Sequence, residues 1–253
     1  MKKIISLLML SLFLFLASCG EEEIDISPLE SAVSARNSDE KISGKYLTEI
    51  TFGAGSVLYY VEGDVNFDRA EKICSAKFKQ TYLGASADGE NYFKNGEVIS
   101  VCDGEAISVP RDADELFSKF PYCAVNIPSD IKSLSVAEST LGKAYTFYTS
   151  DTKNIYDTTV GGDLYELAAV IKKPQKDKTV YGDTKCIFTV NGGTLVSVRY
   201  EFDVTLFDTP AYNPTYSVPE SEYTVKLHIN AKISYVSNGD DVSISEFSGE
   251  ITE

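Results

Sequence analysis

The sequence has little of several residue types, among them histidine, the most common general acid and base of enzymes. It has no tryptophan, two methionines and a single histidine, His228. Lys226, His228 and Asn230 occupy alternate positions, which point to the same face of a strand. Because the neighbours of His228 on this face are polar, we expect it on the solvent face, without a partner. The chain has no Gly-x-Ser-x-Gly nucleophile motif and no Gly-x-x-x-x-Gly-Lys phosphate loop. We therefore predict a protein that is not an enzyme and that uses no cofactor.

Metal-binding patterns are also missing. There is no Cys-x-x-Cys pair, and the segment from Asp151 to Asp157 lacks the spacing of a calcium loop, so it is interpreted as a loop. The acidic pair Asp112/Asp114 lies at a predicted helix start and Asp240/Asp241 at a predicted turn, where capping and turn formation explain them. We predict no metal site.

Basic residues are scarce. The chain has 23 Lys and Arg against 38 Asp and Glu; removing residues 1–18 takes away Lys2 and Lys3 and leaves 21 against 38, a net charge of −17. Such a surface repels phosphate groups, which excludes a nucleic-acid partner.

No apolar run is long enough to cross a membrane as a helix. The longest, from Ile4 to Leu16, has 13 residues, whereas a spanning helix needs about 20. Because Lys2 and Lys3 precede this run, residues 1–18 are predicted to be a signal peptide.

The residues after the apolar run, Leu16-Ala17-Ser18-Cys19, resemble the lipobox of bacterial lipoproteins. The resemblance implies cleavage before Cys19, diacylglycerol on its thiol, and palmitate-type acyl chains that anchor the protein to a membrane. It also implies a location in the bacterial cell envelope, with the folded domain outside the cytoplasm.

Four cysteines remain after Cys19 is acylated, namely Cys74, Cys102, Cys123 and Cys186. An even number in an exported chain permits two disulfides, with three connectivities. Buried free thiols are the equally weighted alternative.

Residues 19–42 are predicted to be a lipidated tether that includes a short helix over 28–35, and residues 43–253 a single β-rich domain. Alternating apolar residues predict strands from Tyr46, Val57 and Cys74 onward, and long strands over 195–207 and 223–235, with a last strand through Val242 and Ile244. Asn95-Gly96 and Asp103-Gly104 predict hairpin turns. Helices are predicted over 112–120, 129–140 and 162–172.

This order of elements resembles the LolA/LppX-like lipoprotein-carrier superfamily. The resemblance rests on the run Tyr92-Phe93-Lys94-Asn95-Gly96-Glu97, on the turn within 188–195, and on the long strands with one apolar face. It implies an α+β fold in which a curved antiparallel sheet forms an incomplete β-barrel, with short helices covering its concave face. In that group the concave face holds lipid or acyl chains.

Apolar residues of the predicted helix 112–120 and of the two long strands are therefore the candidates to line a ligand cavity: Leu116, Phe117, Phe120, Tyr200, Phe202, Val204, Tyr223, Leu227 and Ile229. If the helices cover the sheet completely, the same residues form a filled core. The predicted function is binding or carriage of a lipid or other hydrophobic ligand at the cell envelope. The alternative is a non-enzymatic surface lipoprotein that binds an envelope protein.

Overall fold

A computed structural model describes residues 24–112, 125–160, 168, 174–208 and 224–251. Within these ranges the chain forms two α-helices, twelve strands and a short 3-10 turn, Gly239–Asp241. The helices are α1 (Ser27–Ser38) and α2 (Thr152–Thr159). The strands are β1 (Lys41–Phe52), β2 (Ser56–Asp68), β3 (Ile73–Tyr82), β4 (Ala85–Lys94), β5 (Glu97–Cys102), β6 (Glu105–Pro110), β7 (Lys132–Ser139), β8 (Gly142–Thr149), β9 (Pro174–Tyr181), β10 (Thr184–Asn191), β11 (Thr194–Asp208) and β12 (Thr224–Asn238).

All strands belong to one antiparallel sheet in the order β6-β5-β4-β3-β2-β1-β12-β11-β10-β8-β7, and β9 pairs with the far end of β11. The sheet is curved, and its two end strands, β6 and β7, do not pair with each other in the described ranges. This arrangement confirms the predicted α+β class with a curved, unclosed antiparallel sheet.

The concave face of the sheet carries the core. Along β11 and β12 alternate residues are buried, as their apolar stripes predict: Val198, Tyr200, Phe202, Val204, Leu206, Val225, Leu227, Ile229, Ala231 and Ile233. Helix α1 packs against β10 and β11 through Leu29, Ala32 and Val33. The predicted N-terminal helix is thus present, is longer than 28–35, and forms part of the core.

A bulge in β2 changes which residues face the core. Ile50 pairs with Tyr59 but Thr51 pairs with Val57, so Leu58 is the extra residue. Leu58 is completely buried, whereas Val57 is 43 % exposed. The prediction that Val57 belongs to the buried stripe was therefore wrong, because an inserted residue reverses the alternation of a strand.

Three other predicted elements differ from the structure. Residues 132–139 form strand β7 rather than a helix, since residues 135–139 pair one by one with residues 142–146 of β8. Residues 152–159 form helix α2 rather than a loop, and its buried side chains recur at helical spacing: Thr152, Ile155, Tyr156 and Thr159. Residues 242–251 continue past the 3-10 turn without forming a strand.

The predicted helix over 112–120 lies outside the described residues except for Asp112. The predicted helix over 162–172 also lies outside the described residues, except for Ala168, which is helical and fully buried.

Two glycines allow close packing between strands in the first half of the sheet. Gly63 pairs with Phe78, which in turn pairs with Gly89. A Cβ atom on Gly63 would lie 2.3 Å from the Lys77 carbonyl oxygen, and one on Gly89 would lie 2.5 Å from the Phe78 ring. Side chains are therefore excluded at both positions, and glycines at such positions allow a sheet to bend.

The cysteines of the described ranges are free thiols. Cys74 and Cys186 are buried and Cys102 is exposed, while Cys123 lies outside these ranges. Cys74 is in β3 and Cys186 in β10, with four strands between them, so they cannot be bridged. Burial raises the pKa of both thiols to about 12. Cys74 and Cys186 are thus buried free thiols, whereas Cys102 is a free thiol that is exposed.

We expect one fast-reacting thiol in residues 20–253 carrying Cys123→Ser, when the native protein is mixed with a thiol reagent without prior reduction. Exposed Cys102 should react at once, whereas Cys74 and Cys186 should react only after denaturation, because burial disfavours the reactive thiolate. Adding Cys102→Ser should abolish the fast phase. Fewer than three thiols after denaturation would contradict the assignment.

Candidate functional site

The candidate lining residues of β11 and β12 lie side by side on the concave face. Phe202 pairs with Ile229 and Val204 with Leu227, and all four are at most 2 % exposed. Tyr200, on the same face of β11, is 6 % exposed, and the other four candidates, Leu116, Phe117, Phe120 and Tyr223, lie outside the described residues.

Helix α2 covers part of this apolar surface. The Tyr156 ring meets the Phe202 ring edge-on, with 6.5 Å between ring centroids, and lies 6.1 Å from the Tyr181 ring. The Thr152 hydroxyl donates a hydrogen bond of 2.5 Å to the Gly182 carbonyl oxygen and accepts one of 2.7 Å from Thr184. Helix α2 is therefore held against the sheet by packed rings and by buried hydrogen bonds, and Phe202 is part of a filled core.

Two cavities flank the same helix, and Thr159 borders both. The first, here called the sheet cavity, has a volume of about 250 Å³ and lies between the concave face of β1–β4 and the end of α2. Its described lining is Tyr46, Thr48, Tyr59, Val61, Phe78, Gln80, Asn91, Thr159 and Val160.

The second, here called the loop cavity, has a volume of about 390 Å³ and lies between residues 125–129, α2 and β11. Tyr200 is the candidate residue that borders it; its described lining is Val125, Asn126, Ile127, Pro128, Ser129, Asp151, Asn154, Ile155, Thr158, Thr159, Val198 and Tyr200.

The sheet cavity combines aromatic rings with unpaired polar groups. Its rings are Tyr46, Tyr59 and Phe78. The Tyr59 hydroxyl and the amides of Gln80 and Asn91 have no side-chain hydrogen bond within the described ranges. Burial raises the pKa of Tyr59, so this phenol stays neutral and can donate a hydrogen bond. Such a surface suits a ligand that is mainly apolar and carries a few polar atoms.

Residues 125–130, which form one wall of the loop cavity, are fixed at both ends. At one end the Asn37 amide donates to the Val125 carbonyl oxygen (2.7 Å) and accepts from the Val125 amide (3.0 Å). At the other end the Asp130 carboxylate accepts hydrogen bonds from the Ser150 amide (2.8 Å), the Ser150 hydroxyl and the Thr149 hydroxyl. These hydrogen bonds hold the pKa of Asp130 well below its usual range.

The histidine lies on the solvent face, as predicted, but it has a partner. His228 Nδ1 lies 2.8 Å from Asp203 Oδ1, and the side chains are 53 % and 74 % exposed. The prediction of an unpaired histidine was wrong because β11 and β12 align with Asp203 directly opposite His228. This pair is on the face opposite to the two cavities.

Sequence reasoning identified Tyr46, Tyr59 and Phe78 as strand residues but not as cavity residues. Their alternation indicated only that they face the interior. Whether an inward-facing residue packs against another side chain or lines a cavity depends on where α2 ends. The α2 segment was interpreted as a loop from its sequence, so this cavity could not be placed.

No protein-family model and no curated protein matches the chain. Among solved structures it is similar to LprF from Mycobacterium bovis, with a TM-score of 0.43 and 10 % identity over 88 % of this chain and 96 % of that one. It is also similar to a DUF1329 family protein from Desulfovibrio piger, with a TM-score of 0.27 and 10 % identity over 87 % and 94 % of the two chains.

Replacing Asp130 with Asn should lower the urea midpoint of unfolding near neutral pH, since the hydrogen bonds to the carboxylate lose their charge. The native pKa of Asp130 is below the usual value for an aspartate, which is about 3.9, so the carboxylate stabilises the fold above about pH 4 and loses this effect as the pH falls through the native pKa. The difference between wild type and Asp130→Asn should therefore shrink on acidification. Asp240→Asn in the terminal 3-10 turn is the control, and a difference that is independent of pH would contradict the account.

Proposed function

We propose that the protein is a lipid-anchored, non-enzymatic protein of the bacterial cell envelope that binds a hydrophobic or amphipathic ligand on the concave face of its sheet. The observation that carries the proposal is the sheet cavity, an aromatic-lined space beside α2 whose polar groups Tyr59, Gln80 and Asn91 have no side-chain partners in the described ranges. All three residues are half-exposed, so their polar atoms are open to a ligand that enters the cavity.

The composition of both cavities supports a binding role over catalysis. Their described linings contain no histidine, cysteine, lysine or arginine. A nucleophile with an adjacent base, the usual basis of covalent catalysis, is missing from these residues. The same lack of basic groups disfavours phosphate and carboxylate ligands.

The anchor rests on the lipobox-like run that ends at Cys19. In the part of the chain that the structure describes, no helix is both long and apolar enough to span a bilayer. On the basis of the lipobox-like run, we propose that acyl chains on Cys19 supply the membrane attachment.

A second candidate function is binding of an envelope protein, and the open edge of the sheet favours it. Seven of the eight residues of end strand β7 are exposed. Nearby apolar side chains are exposed as well, with Val136 at 39 %, Leu141 at 58 % and Tyr148 at 39 %. Unpaired edge strands with exposed apolar residues are surfaces on which an extended partner segment can pair.

Gln80→Trp tests ligand binding in the sheet cavity. The indole should fill the cavity, because an aromatic side chain of this size buries about 150–250 Å². We expect residues 20–253 to take up the neutral fluorescent probe N-phenyl-1-naphthylamine, and Gln80→Trp to weaken its binding at least about tenfold, a loss of about 1.4 kcal/mol.

Lys79→Trp is the matched control, because Lys79 is the neighbouring residue on the opposite face of β3 and pairs with Glu62 and Asp88. It should leave uptake of the probe unchanged. If the wild-type protein takes up no probe and releases no lipid on extraction, the ligand-binding function is wrong and the protein-binding alternative is favoured.

Cys19→Ser tests the anchor. In a bacterial host fed with labelled palmitate, the full-length chain should incorporate the label and sediment with membranes. Cys19→Ser should lose the label, because the hydroxyl cannot form the thioether, and should leave the membrane fraction. Cys123→Ser is the control and should remain labelled; membrane association of unlabelled Cys19→Ser would point to another mode of attachment.

A further inference from the structure

We propose that the loop cavity binds a positively charged amine, the cationic headgroup of an amphipathic ligand, with Asp151 as its counter-ion. This inference rests on the proposed function and names the chemical class of its ligand. It starts from the charges in the cavity, which has one ionised group among its described lining residues, the carboxylate of Asp151.

The Asp151 carboxylate is available to a ligand. One of its oxygens, Oδ2, accepts a hydrogen bond of 3.1 Å from the Asn154 amide. No lysine or arginine of the described ranges forms an ion pair with Asp151. The basic residue nearest in sequence, Lys153, pairs instead with Asp157, with 2.6 Å between nitrogen and oxygen. Within the described ranges the Asp151 carboxylate therefore has no ion-pair partner, and one of its oxygens, Oδ1, accepts no hydrogen bond.

The remaining walls suit an ammonium group on an alkyl chain. Tyr200 also borders the cavity, and its ring, which is 6 % exposed and lies 5.9 Å from the Phe188 ring between centroids, supplies apolar contact. Ile155 and Val198 supply apolar contacts for methylene groups, and Asn126 and Ser129 supply oxygens that can accept hydrogen bonds from an ammonium.

The charge of the whole protein acts in the same direction. The chain without its signal peptide has 38 acidic and 21 basic residues, and a strongly negative protein raises the local concentration of cations. An anionic ligand would be repelled both by the negative charge of the whole protein and by the Asp151 carboxylate.

The test compares three probes that share an eight-carbon chain and differ in charge, namely octylammonium, octyl glucoside and octanoate. Binding to residues 20–253 is measured by calorimetry at low ionic strength. We expect octylammonium to bind about tenfold more tightly than octyl glucoside, octanoate to bind most weakly, and the preference to shrink in high salt.

Asp151→Asn should weaken octylammonium binding about fivefold, in line with the loss of one partly exposed charge, and leave octyl glucoside binding unchanged. Asp157→Asn is the matched control, because it removes the same charge from the same helix but lies outside the described lining of the cavity. It should leave binding of all three probes unchanged.

Equal binding of the three probes, or equal effects of the two substitutions, would overturn the assignment of Asp151 as counter-ion. These results would leave the proposed function intact provided that N-phenyl-1-naphthylamine still binds. Failure of all three probes and of N-phenyl-1-naphthylamine would instead remove the proposed function itself.

Discussion

The pairing of β1 with β12 joins the two halves of the sheet, and every other feature of the domain depends on it. β1 is the first and β12 the last of the described strands, yet they align over most of their length, with Ile50 opposite Ile229 and Tyr46 opposite Ile233. The isoleucines at these positions are completely buried. Without this pairing, β1 and β12 would each present a long free edge, and the concave face would be divided into two open sheets that could not share a core. The β2–β6 and β7–β11 sides thus become one surface only when the chain is complete.

The two cavities follow from how helix α2 meets this joined surface. The helix comes from the β7–β11 side, where Tyr156 packs on Phe202, and it ends beside the β1–β4 side, where Thr159 and Val160 border the sheet cavity. An eight-residue helix covers only part of a twelve-stranded sheet. Among the described residues, the cavity on one side of the helix is lined by rings and amides of the sheet, and the one on the other side by residues 125–129. In the part of the chain that the structure describes, the end of α2 is thus the element that borders both cavities.

Much of the fold could be predicted from local patterns, and most of the site could not. The alternating stripes of β11 and β12 and the turns at Asn95-Gly96 and Asp103-Gly104 are local signals, and the structure confirms them; Asn95 and Asp103 both have positive φ angles, as that hairpin turn requires. The bulge at Leu58 has no such signal, because it depends on how β2 aligns with β1. Helix α2 was missed since two of its buried residues, Thr152 and Thr159, are polar and do not register in an apolar stripe. The His228–Asp203 pair depends on how β11 aligns with β12. The lining of the sheet cavity depends on strand register and also on where the covering helix ends. No single segment of sequence encodes either relationship.

The complete burial of Leu29 in the core limits how far the domain can stand from a membrane. Helix α1 begins at Ser27, so only residues 20–26 separate it from the proposed lipid on Cys19. Seven extended residues reach at most about 25 Å, which is less than the width of a globular domain of this length. With the proposed lipid on Cys19, this segment would be too short for the domain to tumble freely at a distance, and one side of the domain would stay close to the lipid headgroups. Because the surface is strongly acidic, anionic headgroups would repel it, and the lipid composition of the membrane would influence the orientation of the concave face.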